Sequence, residues 1–120
     1  MERRGTIGLR RDDGAVVFTL RGEHDIDTAP ELRAELDRAI ADGTPVVVDL
    51  SQAVFIDSTV LGALIYGHER KQPFGLVVPP GCPAHRLCEM VELGGIVPIY
   101  GSQPEALTDL VVAAAGHRGE

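Results

Sequence analysis

Apolar residues change their spacing several times along the chain, and each change marks an element. Between Thr6 and Leu20 the pattern is strand, turn, strand: Ile7 and Leu9, then Asp13-Gly14, then Ala15, Val16, Val17, Phe18 and Leu20, which predicts a hairpin. Beyond Gly22 the chain turns polar. Thr28 with Glu31 three residues later has the form of a capping box, and Pro30 is tolerated in a first helical turn, so a helix is predicted to start there. Leu32, Leu36 and Ile40 line one face of it, Glu31, Arg33, Glu35 and Arg38 the other, and Gly43 ends it.

Val46 to Leu50 is a continuous, β-branched run of the kind found in a strand covered on both faces. Val54, Phe55 and Ile56 follow, and Asp57, Ser58 and Thr59 then place side-chain oxygens ahead of a helical pattern with Leu61, Leu64 and Ile65 on one face, ending near His68 to Lys71. Pro73 and Gly75 mark a strand over Phe74 to Val78, and Pro79, Pro80, Gly81 and Pro83 stiffen the next loop. Leu87, Met90 and Val91 predict an amphipathic helix broken by Gly94-Gly95. A last strand over Ile96 to Tyr100 and a helix from Pro104 to about Ala115, with Leu107, Leu110 and Val111 inward, complete the pattern; His117 to Glu120 are expected to fray.

After the first hairpin, strands and helices alternate. This implies an α/β domain with a mixed, largely parallel sheet of about four or five strands, an N-terminal hairpin and about four helices. No repeat, low-complexity tract or linker interrupts the chain, and its 120 residues suit a single domain with a core over about 6–113. In such sheets functional groups gather beyond the carboxyl ends of strands, which directs attention to the turn after Ile56.

Composition narrows the chemistry. Eighteen acidic against eleven basic side chains give a formal charge of -7, which opposes binding to nucleic-acid phosphates. The small basic cluster of Arg3, Arg4, Arg10 and Arg11 is followed at once by Asp12 and Asp13 and has no aromatic platform, so it reads as a solvated terminal segment. No stretch approaches the roughly 20 apolar residues of a membrane span, and a soluble protein of the cytoplasm is expected. Cys82 and Cys88 stand without further ligands at metal spacing and read as free thiols, Cys88 as a small core residue and Cys82 as a loop residue.

His24, His68, His85 and His117 are scattered and read as surface residues. No serine sits in a nucleophile elbow, and no Walker-type Lys-Ser/Thr follows Gly81 or Gly94-Gly95. No cofactor and no metal are expected. A receiver-like phospho-aspartate domain is disfavoured because no acidic pair follows the first strand. Ser58 and Thr59 remain: at a helix N-terminus each is placed either to cap the helix, the far commoner role, or to accept phosphate.

Residues 47–62, VVDLSQAVFIDSTVLG, resemble the signature of the STAS domain, the family of bacterial anti-sigma factor antagonists. Gly22-Glu23-His24-Asp25-Ile26-Asp27-Thr28-Ala29 resembles the family's Gly-Glu-x-Asp-x-x-Thr-Ala loop, and Arg86-Leu87 with Gly94 or Gly95 resembles its Arg-containing helix and Gly-Leu exit. The resemblance spans nearly the whole chain in the order of elements derived above. It implies a regulatory protein-binding module and not an enzyme. Ser58, following the Asp, would be the phosphorylated residue, with Thr59 the lesser candidate. The partner would be an anti-sigma factor with serine-kinase activity, with a phosphatase as a further partner, and the bare chain would bind where the phosphorylated chain would not.

Glu23, Asp25, Asp27, Asp57, Ser58, Thr59, Val60, Leu61 and Gly62 are the partner-binding residues the resemblance implies. Asp57 either orients the turn and the attacking hydroxyl or simply caps the helix. Asp25, Glu23 and Asp27 either touch the partner or are solvated loop acids, with Asp27 leaning towards the start of the helix, and Leu61 has core spacing. Val60 departs from the family's usual Gly and is expected to fill the space where a partner surface approaches. That departure keeps a second reading open: a non-phosphorylated STAS scaffold, or a subunit of a larger complex that senses a nucleotide or lipid. The short link between Tyr66 and Leu76 predicts a Ser58 helix about one turn shorter than is usual in the family.

Overall fold

The computed structural model describes residues 4–12, 14–70 and 72–118. Its first strands, β1 (Gly5–Asp12) and β2 (Ala15–His24), form the antiparallel hairpin expected from the alternating pattern. Asp13 of the anticipated turn lies outside the described residues, and Gly14 has φ +82, as a tight reversal requires. β2 is ten residues long and serves two neighbours. Its first half pairs in parallel with β3 (Val46–Asp49) and its last residues pair in parallel with β4 (Ala53–Ile56). β5 (Phe74–Val77) continues the sheet from β3, and β6 (Ile99–Tyr100) from β5, giving the order β1-β2-β3-β5-β6 with β4 on β2.

The helices α1 (Ala29–Ala41), α2 (Ser58–His68), α3 (Pro83–Met90) and α4 (Gln103–Arg118) cover the sheet unequally. Val16, Phe18, Leu20, Val46 and Val48 point into a large apolar layer with Leu32, Leu36, Val60, Leu64 and Cys88 from α1, α2 and α3. Val17, Val47 and Val77 point the other way, onto Ala106 and Leu110 of α4. The uninterrupted valine run of β3 follows from this: all four of its residues are buried, because both faces of the strand are roofed.

Four expectations are corrected. Among the described residues the sheet has six strands, because Ala53–Ile56 is a strand whose central residues are both exposed, so it lacks the alternation that reveals one. The last strand shrinks to Ile99–Tyr100, because Leu93–Gly95 winds into a 3-10 turn ahead of it. In α3 the inward residues are Ala84 and Cys88, with Leu87 half-buried; Met90 and Val91 are exposed. The helix ends at Met90, so Val91 leaves the helical phase that would have turned it inward.

Finally, Thr28 does not form the capping box. It has helical backbone angles, φ -103 and ψ -17, and its side chain makes no cap bond. Thr28 is buried and its hydroxyl is turned back to the loop before it. Both cysteines are free; Cys88 is buried, and burial together with nearby Cys82 pushes its thiol pKa up.

Candidate functional site: the turn between β4 and α2

β4 ends at Ile56 and Asp57 turns the chain into α2. Asp57 is extended, φ -116 and ψ -175, and its Oδ1 accepts the N–H of Thr59 at 3.0 Å and of Val60 at 3.2 Å, and also the Thr59 hydroxyl. These are the donors a helix N-terminus leaves unsatisfied. Burial raises the Asp57 pKa, but bonds from the Thr59 hydroxyl and from the N–H groups of Val60, Thr59 and Ile26 outweigh it and hold the carboxyl below its ordinary value. Asp57 is therefore an ionised cap that also ties the β2–α1 loop, through Ile26, to the start of α2.

This cap separates the two hydroxyl residues. Thr59 donates its hydroxyl to Asp57 and is thereby held, whereas Ser58, the first residue of α2, is exposed and its hydroxyl has no hydrogen-bond partner among the described residues. Replacing Asp57 by Ala is expected to cost about 1–2 kcal/mol of stability, the usual worth of a side-chain cap. A carboxyl with a lowered folded pKa stabilises fully above its unfolded value, about 3.9, and loses this as pH falls through the folded one. The gap between wild type and Asp57→Ala in urea melts should thus narrow in acid.

The β2–α1 loop is built from within. His24, expected at the surface, is buried at 1% exposure. Its Nε2 faces two carbonyl oxygens, of Thr6 at 3.1 Å and Arg21 at 3.0 Å, and so carries the proton, while Nδ1 lies 3.0 Å from the Thr28 hydroxyl. Gly5 and Gly22 face each other beside it, and a Cβ on Gly22 would lie 2.1 Å from the Arg4 carbonyl oxygen. Asp25 accepts the Asp27 N–H on Oδ1 at 2.9 Å, and its carbonyl accepts the N–H groups of Thr28 and Ala29. Glu23 pairs with Arg4 at 3.3 Å. Asp27 is exposed.

Glu23, Asp25, Asp27, Asp57, Ser58, Thr59 and Gly62 thus lie on elements that meet around the start of α2, with Ser58, Thr59 and Gly62 exposed. Val60 and Leu61 do not join them at the surface. Val60 is 0% exposed and Leu61 7%, so Val60 packs into the large apolar layer and does not fill the space in front of the helix as expected. The reason is phase: the cap fixes Ser58 as the first helical residue, and the third and fourth residues of the helix then turn inward.

Sequence reasoning missed three residues of this face. Gly22 pairs with Ala53 and Glu23 with Phe55, so β4 has one extra residue, Val54, opposite a single step of β2. Such a bulge bends the strand and breaks its alternation, and the successive residues Val54 and Phe55 are 61% and 52% exposed. Ile26, whose N–H reaches Asp57, is 67% exposed. Ile26 and the Val54–Phe55 pair thus put exposed apolar side chains on the two segments that meet at Asp57, the same segments that carry Glu23, Asp25 and Asp27. A bulge depends on the pairing partner, and only the strand context of Ala53–Ile56 could have signalled it.

A family model described as "Mlab, STAS domain" matches residues 7–98, more than half of the chain. The chain belongs to the STAS domain family. A STAS relative from Paenibacillus polymyxa, an anti-sigma F factor antagonist, is 31% identical over 113 residues, covering 90% of this chain and 97% of the relative. The crystal structure of an anti-sigma factor antagonist from Mycobacterium paratuberculosis aligns with TM-score 0.79 at 30% identity, over 88% of this chain and 93% of that one. The antagonist SpoIIAA in its unphosphorylated form shares the STAS fold at TM-score 0.66 and 22% identity, covering 87% and 96%. Among the described residues no helix is long and apolar enough to cross a membrane, and no cluster of His, Cys, Asp or Glu is placed to hold a metal ion.

Proposed function

We propose that this chain is an anti-sigma factor antagonist of the bacterial cytoplasm that binds an anti-sigma factor with serine-kinase activity while Ser58 is bare and is released when Ser58 is phosphorylated. The observation that carries this reading is the Ser58 hydroxyl: on an exposed residue at the start of α2, without a hydrogen-bond partner among the described residues, beside a Thr59 whose hydroxyl is engaged by Asp57. Its similarity to antagonists at 31% and 30% identity supports the choice of partner.

In this reading the partner supplies ATP and the catalytic base. The Ser58 oxygen attacks the γ-phosphorus, the bond to ADP breaks, and the hydroxyl proton passes to the partner's base; a phosphatase reverses the modification by hydrolysis. The chain contributes a substrate hydroxyl on a rigid turn and no catalytic group. The docking face comprises Glu23, Asp25, Asp27, Asp57, Ser58, Thr59 and Gly62 with Ile26, Val54 and Phe55, while Val60 and Leu61 support it from below. Because Val60 is buried, it gives no steric ground for a non-phosphorylated scaffold or ligand sensor, the reading its sequence position had kept open.

The test is incubation with the cognate anti-sigma factor and ATP, with modification mapped by mass spectrometry and binding measured by calorimetry. Phosphate is expected on Ser58 and not on Thr59. Phe55→Asp is expected to weaken binding of the bare chain about thirtyfold or more, the scale of an interface hot spot, with stability changed by no more than about 0.5 kcal/mol because the site is exposed. Modification elsewhere, or undiminished binding by the Phe55 variant, would contradict the reading.

A further inference from the structure

β1 is an edge strand: among the described residues it pairs only with β2. The hydrogen bond from Glu23 N–H to the Arg4 carbonyl at 2.9 Å fixes which residues of β1 face its neighbour. Bonding alternates along an antiparallel ladder, so Arg4, Thr6, Gly8, Arg10 and Asp12 direct their main-chain groups to β2. The other strand agrees, since Val16 N–H bonds to the Pro45 carbonyl on the β3 side. Ile7, Leu9 and Arg11 therefore point N–H and C=O away from the sheet. Such a row is a template for another strand.

We propose that β1 pairs antiparallel with β1 of a second copy of this chain, about a two-fold axis through Gly8. Three registers satisfy the bonding alternation and set both Ile7 and Leu9 opposite a residue of β1, with the axis at Ile7, Gly8 or Leu9. An axis at Ile7 sets Arg4 opposite Arg10 of the second copy, a like-charge pair. An axis at Leu9 sets Ile7 opposite the cation Arg11. An axis at Gly8 sets Ile7 opposite Leu9, Thr6 opposite Arg10, and Arg4 opposite Asp12, so apolar meets apolar and cation meets anion. Gly8, without a side chain, sits where the two strands approach most closely.

Packing within one copy agrees. Ile7 is half-buried against the large apolar layer, and Leu9, two residues on and on the same face, is 53% exposed. Across the axis Ile7 and Leu9 of both copies close into a four-residue apolar cluster. Ile7 and Leu9 also exchange both main-chain bonds with their opposites, four bonds in all. Arg10 is held back on the α4 face by Asp12 at 3.1 Å and Gln103 at 2.6 Å, clear of this seam. Gly5 is buried and adds nothing to the ladder. The Arg4 and Asp12 pairs are exposed and select register more than they add affinity.

This dimer is independent of the phosphorylation reading. Ser58 follows β4, which pairs with β2 on the side away from β1, so the edge and Ser58 lie on opposite sides of β2, and the Arg4–Glu23 pair is where the seam borders the Ser58 face. So small a seam gives a weak dimer, with a dissociation constant of about 10 μM to 1 mM.

Sedimentation equilibrium of the full chain tests it. Leu9→Pro removes the outward N–H while leaving the β1–β2 ladder whole, because Leu9 donates nothing to β2. It is expected to weaken the dimer about tenfold or more, through two lost bonds, with an unchanged circular dichroism spectrum. Arg4→Asp and Asp12→Arg should each weaken association, and the two together should restore it. Within one copy these residues lie at opposite ends of β1, so restoration requires contact between copies. A wild type that stays monomeric to about 1 mM, a Leu9→Pro dimer as tight as wild type, or a double variant no better than the singles would overturn the proposal.

Discussion

Ser58→Ala should bind the anti-sigma factor as well as the wild type yet take up no phosphate, while phosphorylated wild type should bind about a hundredfold or more weaker. Alanine removes one exposed oxygen that has no hydrogen-bond partner among the described residues, so binding loses little. A phosphoryl group brings about -1.5 to -2 charges and three acceptor oxygens. It would stand beside the ionised Asp57, near the segments that carry the exposed Ile26, Val54 and Phe55. A docked partner would strip water from that group without matching it, and a mismatched charge in an interface costs several kcal/mol, hence the hundredfold. Ser58→Asp carries less charge on a shorter arm and should fall between. Calorimetry with the bare chain, the phosphorylated chain and both variants measures this series, and equal binding by all four would remove the switch.

Val60→Gly should be among the most destabilising changes in α2, at about 3–4 kcal/mol. Loss of a fully buried Val side chain costs about 2–3 kcal/mol in transfer and cavity terms. Glycine in a helix adds about 1 kcal/mol. Urea denaturation of wild type and variant gives the difference directly, and partner binding by the folded variant should be nearly unchanged. A variant of near-wild-type stability with altered binding would instead place Val60 at the interface.

The order of elements was legible because burial imposes period on sequence. The valines of β3 announced a strand roofed on both sides. Leu32 and Leu36 announced the inner face of α1, and Asp57 ahead of an apolar repeat announced the start of α2. The family loop and signature pointed to Ser58, since short motifs survive as local backbone chemistry.

What needed the tertiary structure was everything set by a partner segment. Val54 and Phe55 are both exposed because β4 meets β2 with one residue to spare. Thr28 abandons its cap because its hydroxyl is turned back to buried His24 and accepts the Asp25 N–H of the loop before it. Val60 sits inside and not in front because the Asp57 cap sets the helical phase. And Ser58 differs from Thr59 only through one hydrogen bond, made possible when the turn closes. A linear pattern records which residues avoid water; which atom is left free depends on contacts between segments distant in the chain, and these exist only once it has folded.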